Sequence, residues 1–235
     1  MSYWKHYYEY GNTFAFKPKF VLSGNNLKLQ KNIIDHESKF NSYHKYLPEI
    51  KKLDFFYAQK FKKEKLHFPY AITIFKNFKR NFSIIYWVTK IQFMKKFHQD
   101  ISEIEWYPMR IIMRINLKWR VKLYKNEGVI ALLFAILKEF ASYSKEQNFN
   151  PIFLFLPQKD DILFIKKNYH FYEDFLQHLE NIDGLTFIDI TKHFLKISNL
   201  DELYSDDNEY GGHLTNKGNQ AVASIIHDAL KHSNG

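Results

Sequence analysis

The chain of 235 residues contains no cysteine. Disulfides, thiolate zinc sites and cysteine nucleophiles are therefore excluded. The absence says little about compartment, since many exported bacterial proteins also lack cysteine. A long apolar run is missing too. The longest, residues 128–137, is too short to span a bilayer, which takes about 20 residues. Residues 1–10 are polar and aromatic, without the apolar centre of a signal peptide. The chain as given is expected to be soluble or peripheral, in a bacterial cytoplasm or cell envelope. No internal repeat and no low-complexity linker occurs. Among the 11 histidines, His36, His44, His67 and His98 have no ligand-like spacing, and His170 and His178 stand eight apart. That is not the i, i+4 pairing of a metal site on a helix. No metal and no cofactor is expected.

What is present is hydrophobic, aromatic and unevenly charged. Hydrophobic residues make up 46% of the chain, enough to bury a sizeable core. The 23 Phe and 16 Tyr have a plain explanation in AT-rich codon usage. The formal net charge is +9. Residues 51–125 carry 18 Lys/Arg against 5 Asp/Glu, whereas residues 158–235 carry 7 against 13. A basic middle and an acidic end imply two different surfaces.

Residues 13–32 read as a β-ribbon. Phe14, Phe16, Phe20 and Leu22 alternate, Ser23-Gly24-Asn25-Asn26 is turn chemistry, and Leu27 and Leu29 alternate on the return. Residues 72–98 read as mainly helical, with Ile84, Ile85, Val88, Ile91 and Phe93 among the apolar positions, and residues 109–124 as a helix. From residue 126 the pattern sharpens. Val129, Ile130, Leu133, Ile136, Leu137 and Phe140 form one stripe of a helix over 127–147. Residues 151–156 (PIFLFL) and 185–190 (LTFIDI) are short continuous apolar runs, as expected of strands buried on both faces. A helix is predicted over 162–179, a loop over 201–212 and a last helix over 216–232, capped by Thr215 and Asn216. This order predicts parallel strands with covering helices, the doubly wound α/β class. The expected division is 1–125, a β-ribbon plus a basic aromatic-rich helical region, and 126–235, an α/β part.

The most informative segment is residues 204–219, which packs an acidic cluster, Gly211-Gly212, His213 and a helix start into sixteen residues. A histidine on a glycine turn just before a helix is a way to display a catalytic base. Gly212-His213-Leu214-Thr215, then Gly218-Asn219, Val222-Ala223 and Ile225, resemble the end of an SGNH (GDSL-type) hydrolase. The PIFLFLP and LTFIDIT strands extend the likeness, and FKPKFVLSGNNLKL is more loosely similar to a mid-chain segment of some bacterial members. The resemblance covers roughly residues 13–35 and 127–232. It implies a flavodoxin-like three-layer α/β/α fold, incomplete here, with the basic helical region as an insertion. It also implies serine ester hydrolysis with His213 as catalytic base.

The family pattern is incomplete in this chain. Neither the GDS block that carries the nucleophile nor the GxND block that carries an oxyanion donor occurs. Ser23-Gly24-Asn25 is not an equivalent, because a nucleophile elbow runs from strand to helix and Leu27-Lys28-Leu29 alternates like a strand. The family's acid stands three residues before the histidine, where this chain has Tyr210. Asp207 and Glu209, six and four residues upstream, are the nearest carboxylates that could orient the imidazole or simply be solvated loop acids. The expectation is the C-terminal part of an SGNH-type serine esterase or acyl hydrolase, inactive alone and partnered by a missing N-terminal half. Its substrate, by resemblance, is an O-acylated carbohydrate or lipid. The alternative is a non-catalytic module whose basic region binds an anionic polymer or membrane. No nucleic-acid-binding signature accompanies the lysines, and the region of Trp87 and Phe93 is a candidate peripheral membrane or partner surface.

Overall fold

In the computed structural model, residues 18–55, 57–64, 66–113, 117–205 and 213–233 are described. The chain is a mixed α/β protein that divides into two compact units, residues 1–21 with 28–114 and residues 22–27 with 115–235.

The ribbon forms as a hairpin of β1 (Lys19–Ser23) and β2 (Asn26–Gln30). Gly24 sits at φ +62° with open space around its missing Cβ, so backbone freedom and not room demands glycine there. Ser23 thus leads into a second strand and not into a helix. Phe14 and Phe16 lie outside the described residues.

The first unit is helical, with α1 (Leu47–Leu53), α2 (Tyr70–Lys76), α3 (Phe78–Lys96) and α4 (Tyr107–Met113). The stretch 72–98 is mainly helical, as expected, and is made of two helices that meet at Asn77, whose φ −128° and ψ 48° are not helical. Asn81 holds the break together. It is buried, and its amide donates to the carbonyls of Thr73 (3.2 Å) and Ile74 (3.0 Å), which the end of α2 leaves without helical partners. Trp87 stacks on Tyr107 with ring centroids 4.4 Å apart, joining α3 to α4. Ile34, Ile50, Ile91 and Met109 are the buried hydrophobic residues described in this unit.

The second unit carries the sheet. β3 (Ile152–Phe155) and β4 (Thr186–Asp189) pair in parallel with Phe153 opposite Phe187 and Leu154 opposite Ile188. Around them lie α5 (Leu117–Tyr124), α6 (Glu127–Glu146), α7 (Lys159–Lys167), α8 (Glu173–Leu179), α9 (Thr191–Phe194) and α10 (Asn216–Ser233). Alternate strand residues face opposite ways. Phe153, Phe155 and Phe187 join a core with Leu137 and Ala141 of α6 and Phe175, Leu176 and Leu179 of α8. Leu154 and Ile188 join a second core with Ile162, Phe194 and Leu203, against Val222 and Ile225 of α10. Both faces of the strand pair are therefore covered by helix.

Two expectations are corrected in this unit. The helix predicted over 162–179 splits, because Asn168 leaves helical geometry (φ −134°, ψ −113°) and Phe171 and Tyr172 turn into the core. The strand over 151–156 is not buried throughout, since Ile152 and Leu156 are each 41% exposed. Among the described residues β3 pairs with β4 alone.

Candidate active site

His213 lies on a short strap that the second unit holds by its backbone. The loop predicted over 201–212 is partly ordered structure. A 3₁₀ turn spans Leu200–Glu202, and Tyr204 then forms an antiparallel bridge with Leu214. The Ser205 amide donates to the His213 carbonyl (2.9 Å), and the Thr215 amide donates to the Leu203 carbonyl (2.9 Å). The Ser205 hydroxyl also donates to the His213 carbonyl, at 3.3 Å. The residue itself is exposed, and these bonds hold its main chain.

The residues after His213 serve this strap. The Thr215 hydroxyl donates to the Glu202 carbonyl (2.5 Å) and accepts the Gly218 amide (3.1 Å), which caps α10. Gly218 is required by a close approach. A Cβ there would stand 2.2 Å from the Leu203 carbonyl oxygen. Lys217 pairs with Glu202, and hydrogen bonds from Lys217 and Asn199 hold the Glu202 carboxyl below the usual range.

Tyr204 fixes where the strap sits relative to the sheet. Its ring is buried against Phe194, and its hydroxyl donates to the carbonyl of Pro157 at 2.7 Å. Pro157 lies two residues past the last residue of β3. The segment facing Leu214 is thereby tied to the carboxyl end of a parallel strand. Burial pushes the Tyr204 phenol well above its ordinary pKa, so it remains a donor.

A partly buried set of charges lies at the same strand end. Gln158 caps α7 and donates its amide to Asp161 (3.0 Å). Arg120 of α5 reaches Asp161 through Nε (3.0 Å) and through Nη2 (2.8 Å), and it also pairs with Asp160. Lys159, itself buried, pairs with the exposed Asp201 in the middle of the 3₁₀ turn. Burial raises the Asp161 carboxyl above its ordinary value, and Arg120 pulls it partly back. These residues position the strand end and the turn before the strap.

Asp207 and Glu209, together with Gly211 and Gly212, lie outside the described residues. Sequence reasoning missed Tyr204, Ser205 and Glu202 as the supports of His213. The alternation of Leu203, Tyr204 and Ser205 against His213, Leu214 and Thr215 was the available signal, and it is only three residues long.

A concavity of about 420 Å³ opens beside β4, lined by Phe187, Asp189, Lys192, His193, Ile225 and Asp228 among others, and His213 does not line it. One oxygen of Asp189 accepts the Thr191 amide (2.8 Å), while the other is buried without a partner among the described residues. Nearby, His170 pairs through Nδ1 with Glu173, and its Nε2 is likewise buried and unpartnered. Burial lowers the His170 pKa against the opposing pull of Glu173 and Asp189. No group of three or more His, Asp or Glu among the described residues is placed to hold a metal ion. Compared with models of protein families, with curated proteins and with solved structures, the chain matches none.

Proposed function

We propose that residues 126–235 are the C-terminal part of an SGNH-type serine esterase or acyl hydrolase of flavodoxin-like architecture, with His213 as its general base. The observation that carries this reading is the bond from Tyr204 to the Pro157 carbonyl, which moors the His213 strap at the carboxyl end of β3. Active sites of open α/β sheets collect at that end of the strands. The tight Gly218–Leu203 contact and the Thr215 cap give physical reasons for the glycine and the threonine of the GHLTxxGN pattern.

The chemistry is acyl transfer. A serine hydroxyl attacks the ester carbonyl while His213 takes its proton, and the same imidazolium then protonates the departing alkoxide. Water repeats the sequence on the acyl-enzyme. Asp207 or Glu209 accepts a hydrogen bond from the N–H of the other ring nitrogen and stabilises the imidazolium. The serine and the oxyanion donors belong to GDS and GxND blocks outside these 235 residues, so this chain contributes the base. The substrate class, an O-acylated carbohydrate or lipid, follows from the resemblance.

The reading is tested on the DNA upstream of the Met1 codon and on p-nitrophenyl acetate. The upstream frame should encode both blocks, and the chain alone should hydrolyse the ester no faster than its His213→Ala variant. Joined to the upstream polypeptide, it should turn the ester over, and His213→Ala should lower that rate by about 10²–10⁴-fold. An upstream region without either block, or turnover indifferent to His213, refutes it.

A further inference from the structure

Helix α3 has two apolar faces. Its inward face carries Asn81, Ile84, Trp87, Ile91 and Met94, all buried or half-buried. Its outward face carries Phe78, Phe82, Ile85, Tyr86 and Phe93, all exposed. These five positions are spaced i, i+4, i+7, i+8 and i+15, so they form a single stripe. The stripe is about 22 Å long at 1.5 Å per residue. Phe75 of α2, 68% exposed, continues it, with its ring 6.4 Å from that of Phe82. Phe93 at the other end is 60% exposed and 4.6 Å from the Phe97 ring. Trp87, expected on such a surface, faces inward on Tyr107 instead.

Charge identifies what this stripe fits. Residues 66–99 contain Lys76, Lys79, Arg80, Lys90, Lys95 and Lys96 and not one Asp or Glu. Lys79 flanks the stripe along one side of the helix, and Lys96 extends its end. The cores of protein interfaces are depleted of lysine. An apolar centre edged by lysines whose stems can lie along it matches a layered target, with acyl chains below and anionic headgroups above. No helix among the described residues is long and apolar enough to cross a membrane, so the match is to a surface.

We infer that the outward face of α3, continued by Phe75, docks the protein on an anionic lipid bilayer, with the phenylalanines in the acyl boundary and the lysines at the phosphates. This assignment is independent of the role given to His213. The test is co-sedimentation of the full chain with vesicles of phosphatidylcholine alone and of phosphatidylcholine mixed equally with phosphatidylglycerol.

The wild type should sediment with the mixed vesicles, remain in solution with the neutral ones, and be released by salt. The exposed triple variant Phe75→Ser, Phe82→Ser, Phe93→Ser should stay in solution with both. The variant Lys76→Gln, Lys79→Gln, Lys96→Gln should bind more weakly by about five-fold for each charge removed. Equal binding to neutral and anionic vesicles overturns the inference, as does undiminished binding of the phenylalanine variant. It is also overturned if light scattering shows self-association abolished by the phenylalanine variant and no vesicle binding occurs. In that case a second copy covers the face.

Discussion

Replacing Gly218 with alanine separates the strap's geometry from ordinary helix behaviour. Inside a helix the change normally stabilises by roughly 0.5–1 kcal/mol, because glycine loses more backbone freedom on folding. Here the new Cβ would lie 2.2 Å from the Leu203 carbonyl oxygen and 3.1 Å from both its carbonyl carbon and the Leu214 Cβ. Heavy atoms rest near 3.5 Å, so the carbonyl must retreat by about 1 Å. That carbonyl accepts the Thr215 amide, and the Ser205–His213 and Thr215–Glu202 bonds share the same strap. Losing these three bonds costs roughly 1.5–4.5 kcal/mol at about 0.5–1.5 kcal/mol each. After the helix gain, Gly218→Ala should destabilise by roughly 0.5–4 kcal/mol. Urea denaturation measures the loss, and hydrogen exchange at the Ser205 and Thr215 amides should accelerate in the same variant. Gly128→Ala is the control, since its Cβ would meet only Asn126 Oδ1 at 3.5 Å, and it should be neutral or slightly stabilising. A Gly218→Ala protein as stable as the wild type, with the control behaving as expected, refutes the described strap.

Three further predictions concern the scaffold. Tyr204→Phe removes the donor to the Pro157 carbonyl and should cost about 1–3 kcal/mol in urea denaturation, through the acceptor left buried. Asn81→Ala leaves the Thr73 and Ile74 carbonyls without that amide and should cost a similar amount, about 1–3 kcal/mol, in the first unit's transition. His170 has a folded-state pKa below its ordinary 6.5 because burial disfavours its cation. The unfolded chain therefore binds the proton more tightly, and stability present above the ordinary value is lost as pH falls through the folded value. Denaturation midpoints between roughly pH 7.5 and 5.5 should fall less steeply in His170→Gln than in the wild type, and an unchanged slope would contradict the burial effect.

Features set by neighbours in the chain were legible in the sequence. The turn at Ser23–Asn26, the apolar stripe of α6, the two short strands and the cap of α10 all follow from local pattern and residue chemistry. The breaks at Asn77 and Asn168 were not legible, because apolar residues continue past both at helical spacing. Asn81 resolves the first by bonding to carbonyls seven and eight residues back. Phe171 and Tyr172 resolve the second by turning into a core built with α6.

The sequence by itself determined that His213 follows two glycines and precedes a capped amphipathic helix, that thiol chemistry is excluded, and that the middle of the chain is basic and aromatic. Only the tertiary structure decided where His213 is held, since the decisive bond joins Tyr204 to a carbonyl 47 residues earlier. It alone decided that Trp87 turns inward while Phe82 and Phe93 face solvent. The physical reason is common to both. Period and propensity fix which residues share a face, but which face is buried depends on partners distant in the chain, and no local pattern encodes them.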